Sequence, residues 1–310
     1  MIKEMDILVT GGTGMVGTAL RNIAPDATYV SSDEFDLRSI SDTERMFDLC
    51  RPKYVIHLAA RVGGVSANTE FVGDFFLDNI RMNTNVLELS RKFCVQKTLS
   101  LLSTCVYPDD ASYPLSVDQI HNGRPHSSNF GYAYAKRMLD VQSRAYRQQY
   151  GCSFITAIPN NLYGENDNFD LQNGHVIPAI IRKIYEANLS GSDVTLWGDG
   201  SSLREFTYSN DLAKILFFLI ENYNDQHPIN IGCPNEVSIK YIAEKIAKTL
   251  KFKGNIVWDE SKPSGQYRKP SSNDALLKLG WSSEEYSDLE FGIEKTCDWF
   301  ALNYPNVRGA

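Results

Sequence analysis

The sequence predicts an α/β fold, a doubly wound parallel sheet with a smaller α/β lobe, and three observations predict it. In the first half, short apolar runs alternate with helix-periodic stretches every 20 to 30 residues, the pattern of successive βαβ units. A glycine-rich turn stands between the first such run and the first helix. Beyond Pro159 the texture changes to a polar loop and differently spaced elements, the start of a second lobe. At 310 residues the chain exceeds one average domain and falls short of three, which suits one large domain with an appended lobe.

Taken in order, Asp6 to Thr10 reads as a strand, followed by a helix from Met15. Thr28 to Val30, Tyr54 to Leu58 and Thr98 to Leu102 are further strands, with a helix near Asn79 to Phe93. The longest helix is expected at Tyr132 to Tyr150, where Leu139, Tyr146 and Tyr150 share a face after the polar Ser127, Ser128 and Asn129. Ser153 to Ile158 is the next strand, residues 164–174 a loop, Val176 to Ala187 a helix, Asp193 to Trp197 a strand and Gly198 to Ser202 a turn. Helices at Ser209 to Asn222, Ser238 to Leu250 and Leu289 to Tyr304, with a strand at Asn255 to Trp258, complete the reading. The expected division is residues 1–160, with about 207–232, in the sheet domain, and 161–206 with 233–310 in the lobe. No repeat or flexible linker is visible, so the lobes should pack together.

No window approaches eighteen consecutive apolar residues, and Met1 to Asp6 is charged, so neither a membrane span nor a signal peptide is expected and the protein is placed in the cytoplasm. The six cysteines, Cys50, Cys94, Cys105, Cys152, Cys233 and Cys297, form no CxxC pair, which argues against a zinc ribbon and a disulfide framework, and no metal site is expected. A net charge of −7 without a basic stripe argues against nucleic acid, although a nucleotide ligand remains open.

The loop Gly11-Gly12-Thr13-Gly14-Met15-Val16-Gly17 puts glycines at i, i+3 and i+6 after the first strand. A tight turn, a pyrophosphate approached by backbone and a helix packed closely on its strand all require glycine there, which makes the fold Rossmann-type and the ligand a dinucleotide. Asp36 and Leu37 fall where an acidic residue meets the adenosine half, though such an Asp can equally be a cap. Ser31 and Ser32 tolerate a 2′-phosphate while Asp33 disfavours it, so NADP is favoured and NAD is not excluded.

Tyr132 and Lys136 stand at i and i+4, one turn apart on one helix face. A nearby ammonium favours the ionised phenol, so this tyrosine can exchange a proton with an alcohol or ketone. Ser103, after the fourth strand, can bond the same oxygen. Tyr134, two residues from Lys136, faces elsewhere. The set signifies a reductase, dehydrogenase or epimerase at a carbinol or ketone carbon.

Several stretches resemble the GDP-L-fucose synthase family of extended short-chain dehydrogenases: Ala59-Ala60-Arg61-Val62-Gly63-Gly64; Leu102-Ser103-Thr104-Cys105-Val106-Tyr107-Pro108; Phe130-Gly131-Tyr132-Ala133-Tyr134-Ala135-Lys136-Arg137-Met138; Asn161-Leu162-Tyr163-Gly164 with Asp167-Asn168-Phe169; Gly174-His175-Val176-Ile177-Pro178; and Trp197-Gly198 through Arg204-Glu205-Phe206. The resemblance implies epimerisation of C3 and C5 of GDP-4-keto-6-deoxy-D-mannose and reduction of C4 with NADPH. It further implies Cys105 as base and His175 as acid of the epimerisations, Ser103, Tyr132 and Lys136 for the reduction, cofactor contacts from Leu101, Leu102, Pro159, Asn160, Asn161 and Leu162 together with Tyr132, Lys136 and His175, and Lys183, Trp197, Arg204 and Lys269 around the GDP-sugar. A homodimer joined through long helices, one of them bearing Tyr132, is also implied.

Two departures stand out. Many relatives carry Asp after the Lys-Pro of the segment matching Ser261-Lys262-Pro263-Ser264-Gly265, and bacterial members place arginines where this chain has Thr13 and Ser32. The rival readings are another sugar-nucleotide enzyme of this fold, such as a 4-epimerase, a 4,6-dehydratase or a GDP-colitose synthase, and a non-catalytic dinucleotide sensor. The Cys105 and His175 pair argues against a plain 4-epimerase, and the intact Ser103, Tyr132 and Lys136 set argues against a sensor.

Overall fold

Residues 2–172, 174–262 and 267–310 are described in the structure, a computed structural model. Strand β1 (Ile7–Thr10) passes through the glycine loop into α1 (Met15–Arg21). Then follow β2 (Thr28–Val30), α2 (Ile40–Cys50), β3 (Tyr54–His57), α3 (Val65–Glu70), α4 (Val72–Lys92), β4 (Lys97–Leu101), α5 (Phe130–Tyr150) and β5 (Phe154–Pro159). The second half holds β6 (Asn161–Tyr163), α6 (Val176–Ser190), β7 (Val194–Trp197), β8 (Leu203–Tyr208), α7 (Ser209–Asn222) and β9 (Ile229–Ile231). It closes with β10 (Glu236–Ser238), α8 (Ile239–Thr249), β11 (Ile256–Asp259), α9 (Asp274–Lys278) and α10 (Leu289–Asn303).

The doubly wound sheet expected from the sequence has six strands in the order β2-β1-β3-β4-β5-β9, each paired in parallel with its neighbours. From β1 the chain goes outward to β2 and then back across to β3 on the opposite side. That reversal opens a crevice beyond the C-terminal ends of β1 and β3, where the glycine loop lies.

The strands are apolar without alternation because both faces are covered. Ile7 and Val9 pack with Leu20 of α1 and Leu216 of α7, whereas Leu8 between them packs with Phe47 of α2 and Leu89 of α4. Leu212, Ile215, Leu216, Leu219 and Ile220 of α7 are fully buried, each contributing roughly 1.5–3 kcal/mol by leaving water.

The second lobe has its own core. The sheet β10-β8-β6 and the pair β11-β7 pack with Ile180, Ile181 and Ile184 of α6, Ile242 and Ile246 of α8, and Ile293 and Phe300 of α10. The chain enters this lobe one residue after β5, where β6 begins, and returns to the large sheet at α7.

Where the structure differs from the sequence reading, short elements and distant partners are the cause. Helix α4 starts seven residues earlier than expected, and α2, α3, α9, β6, β8, β9 and β10 were not anticipated. Strands of three residues, such as β6, β9 and β10, are too short to display a period. The position of β8 depends on its pairing with β6 and β10 rather than on its own sequence. Ser264 lies outside the described residues. No described helix is long and apolar enough to cross a membrane.

Candidate active site

A cavity of about 920 Å³ runs along the C-terminal edge of the large sheet, from the end of β2 past the glycine loop to the end of β5. Gly11, Thr13, Gly14, Met15, Val16 and Gly17 line it, while Gly12 packs against Tyr29 and donates its N–H to the Val30 carbonyl at 2.8 Å. Gly11 has φ +72, and a Cβ there would meet the Ala59 nitrogen at 2.9 Å; a Cβ on Gly17 would lie 2.5 Å from the Gly11 carbonyl oxygen. Both neighbours are backbone and cannot yield. The bare backbone around the crevice suits a group as bulky as a dinucleotide pyrophosphate.

At one end the lining is Ser31, Ser32, Phe35, Asp36, Leu37 and Arg38. Asp36 does not stand alone as a carboxylate. Arg38 donates to its two oxygens at 2.9 and 3.0 Å, and this contact holds the Asp36 carboxyl below its ordinary range. Arg38 also lies 3.7 Å from Asp78, which pairs with Arg61 at 2.8 Å. The sequence reading weighed Asp36 and missed Arg38, two residues on, because only the fold shows that this cation faces the cavity and cancels the acid.

At the other end Leu101, Leu102, Ser103, Tyr132, Lys136, Pro159, Asn160, Asn161, Leu162 and His175 line the cavity together. Ser103 ends the β4 segment and its hydroxyl accepts from the Cys105 N–H at 3.4 Å. The buried Arg137 fastens this turn to α5, donating to the carbonyls of Val106 and Gly123, both at 2.7 Å. Lys136 is buried and donates to the Leu101 carbonyl at 2.7 Å, with its ammonium 5.8 Å from the centre of the Tyr132 ring. His175 stands at the N-cap position of α6, and its side chain makes no capping bond to the helix.

Burial governs the electrostatics here. It brings Lys136 down to about 8 and pushes the Tyr132 phenol well above its usual value, an effect that the Cys105 charge reinforces. The sequence argument had the ammonium favouring the ionised phenol; in the structure desolvation wins, and the phenol is held protonated, the form that donates. Burial also pushes the Cys105 thiol up, opposed by the Ser103 contact and by the charges of Lys269 and Lys136. His175 is pulled down by burial and by Arg308. Its ring is surrounded by protein yet keeps surface toward the cavity.

Lys183, Trp197, Arg204, Lys269 and Cys105 are not among the residues lining that cavity. Lys183 lies with its ammonium 5.7 Å from the centre of the exposed Trp197 ring. Arg204 donates to the carbonyls of Leu203 and Tyr267 at 2.6 and 3.3 Å, and its charge reaches the enclosed Lys269. A buried network ties this side to the cavity. Glu205 accepts from the Ser271 hydroxyl at 2.6 Å and from Asn160 Nδ2 at 3.4 Å, and the Asn160 oxygen accepts from Thr207 at 2.6 Å. Glu205, quoted within Arg204-Glu205-Phe206 but given no role, thereby connects the segment bearing Lys269 to the cavity wall. Asp167, Asn168 and Arg308 are further lining residues that sequence reasoning did not select.

With this geometry in view, comparison with known proteins is direct. Residues 7–232 match the NAD dependent epimerase/dehydratase family. The chain belongs to that family. Among curated relatives, GDP-L-fucose synthase of Dictyostelium discoideum is 42% identical across 99% of this chain and 98% of its own. GDP-L-colitose synthase of Yersinia pseudotuberculosis is 39% identical across 97% and 99%. A GDP-L-fucose synthetase of Naegleria fowleri, in a crystal structure bound to NADP, is 41% identical and superposes with a TM-score of 0.93 across 99% of this chain and 96% of that one. The resemblance drawn from the motifs is thus borne out over nearly the whole chain.

Proposed function

We propose that the protein converts GDP-4-keto-6-deoxy-D-mannose to GDP-L-fucose, epimerising C3 and C5 and reducing C4 with NADPH. The observation that carries this reading is the gathering, at one end of a dinucleotide-sized cavity, of Ser103, Tyr132 and Lys136 with two further proton-transfer groups, His175 in the lining and Cys105 behind Ser103. In this division of labour residues 1–160 and about 207–232 hold NADP, and residues 161–206 and 233–310 hold the GDP-sugar. Arg38 beside Asp36 balances charge at the adenosine end, which suits a 2′-phosphate despite Thr13 and Ser32.

Bound in the cavity, NADPH supplies the hydride delivered to C4. Burial disfavours the Cys105 thiolate, and the Ser103 contact with the Lys269 and Lys136 charges works against that burial; in its ionised form Cys105 removes a proton from the carbon next to the 4-ketone, and the resulting enolate oxygen is met by the Tyr132 phenol and the Ser103 hydroxyl. His175 returns a proton from the opposite face, inverting the centre. In the reduction Tyr132 gives its proton to the C4 oxygen, and Lys136, fixed to the Leu101 carbonyl, supplies the positive field beside it. Lys183, Arg204 and Lys269 face the GDP diphosphate, with Trp197 packing on sugar or base.

The reading extends to assembly and setting. Phe130, Tyr134, Met138 and Val141 form an exposed apolar stripe on α5, beside exposed Phe76 and Leu77 on α4, a face suited to a second copy of the chain in a homodimer. All six cysteines are free thiols, in keeping with a reducing cytoplasmic setting. The deciding experiment incubates the purified protein with GDP-4-keto-6-deoxy-D-mannose and NADPH or NADH, follows the reduced cofactor's absorbance and identifies the sugar formed. NADPH consumption with GDP-L-fucose as product is expected; no consumption of either cofactor defeats the assignment. Sedimentation of the wild type and of Met138→Glu tests the dimer, expected at twice the chain mass and lost in the variant.

A further inference from the structure

The C-terminal segment returns to the cavity. After α10 the chain lays residues 305–310 along the loop that precedes His175, and three contacts hold it there. The Phe169 N–H donates to the Arg308 carbonyl at 2.9 Å, the Arg182 guanidinium donates to the Gly309 carbonyl, and Val307 is buried in the lobe core. Gly309 has φ +85, and a Cβ on it would come within 2.4 Å of Asn168 Oδ1 and 2.5 Å of the Asp170 nitrogen, so the strap lies against the loop with no room for a side chain there. The strap is a built feature, and its register places Arg308 in the cavity wall with Asp167, Asn168 and His175.

Among the described residues, four lysines and arginines line the cavity: Arg38, Arg61, Lys136 and Arg308. Three are engaged by protein, Arg38 with Asp36, Arg61 with Asp78, and Lys136 with the Leu101 carbonyl. Arg308 is not. Its charge acts on Asp167 and His175, yet among the described residues its guanidinium has neither an ion pair nor a hydrogen bond. Beside it, Asp167 is buried and its Oδ2 is bonded neither to Arg308 nor to any other of the described residues, so the guanidinium is not held by its acidic neighbour. A guanidinium with five unused donors is suited to a phosphate group, which it can bind at two oxygens at once.

We propose that Arg308 binds the pyrophosphate of the dinucleotide. The dinucleotide, rather than the sugar nucleotide, is favoured because Arg308 shares a cavity with Gly11, Gly14 and Gly17, whereas Lys183, Arg204 and Lys269 lie outside that lining. The assignment rests on the dinucleotide reading given above.

The test measures NADPH and, separately, GDP binding by calorimetry for the wild-type protein, Arg308→Gln and Arg308→Lys, at two salt concentrations. Arg308→Gln is expected to weaken NADPH about tenfold or more and to flatten its salt dependence, with GDP affinity unchanged, and Arg308→Lys to fall between. NADPH affinity within twofold of wild type in Arg308→Gln overturns the role, and a loss confined to GDP transfers the residue to the substrate diphosphate. A wild-type protein that fails to bind NADPH overturns the dinucleotide reading itself, and so is told apart from failure of Arg308 alone. Ligand-free melting at pH 5, where Asp167 is protonated in the folded protein and gains little from the Arg308 charge, separates binding from packing: the strap is held through main-chain groups of Arg308 and Gly309, so both variants should melt with the wild type, and early melting of both overturns the assignment.

Discussion

Replacing Asp167 by Asn should remove a specific pH dependence of stability. Asp167 accepts from the Asn168 N–H at 2.7 Å through Oδ1, while Oδ2 is buried without a partner among the described residues. Burial pushes its carboxyl from 3.8 up to about 7, a rise that the Asn168 contact and the charge of Arg308 only partly offset. Because the folded value lies above the unfolded one, the folded state keeps a proton that the unfolded state has lost. Stability therefore declines as pH rises between about 4 and 7, and above 7 the full penalty, roughly 4 kcal/mol, is present. An Asn side chain retains the Oδ1 acceptor and does not titrate. Urea unfolding of the ligand-free wild type and Asp167→Asn at pH 5 and pH 8 isolates the effect, since other groups cancel in the difference. One such group is His57, buried between Thr10 and Asn83 and brought down to about 4, whose contribution has the opposite sign. The stability of the variant relative to wild type should rise by roughly 3 kcal/mol between the two pH values. A relative stability that is the same at both within about 0.5 kcal/mol would refute the reasoning.

The other predictions concern the proposed chemistry. Tyr132→Phe should slow NADPH-dependent reduction roughly 10²–10⁴-fold while leaving the NADPH dissociation constant unchanged, because only the proton donor is removed; unaltered turnover defeats the role. Since burial holds the phenol protonated and Lys136 near 8, activity should decline as pH rises through about 8 with loss of the ammonium, and a pH profile flat to 10 contradicts this. Cys105→Ser and His175→Gln should each slow deuterium uptake from solvent at C3 and C5 of the 4-keto sugar, and normal exchange in both removes them from the mechanism. In Gly17→Ala the new Cβ has no room between α1 and the loop, 2.5 Å from the Gly11 oxygen, so cofactor affinity should fall with about 1–3 kcal/mol of stability; wild-type values for both would show that the loop tolerates it.

Much of the architecture was legible because its signals are local. The apolar runs of β1, β3, β4 and β5, the glycines between β1 and α1, and the i, i+4 pair Tyr132 and Lys136 on α5 each depend on near neighbours in the chain. Strands β6, β8 and β10 were not legible, because Asn161–Tyr163, Leu203–Tyr208 and Glu236–Ser238 carry no apolar run of their own and their pairing is made across distant segments.

The sequence by itself determined the doubly wound sheet, the glycine loop and the residue types for the chemistry, since these follow from periodicity, backbone freedom and spacing within a turn. Only the tertiary structure decided which charges are free. It neutralises Asp36 with Arg38, leaves Asp167 without a partner at Oδ2, sets Lys269 close enough to Cys105 for their charges to interact, and brings Arg308 from the chain's last turn to the wall beside His175. The reason is physical: burial and long-range contact set the energy of a charge, and neither is written in the order of residues until the chain has folded.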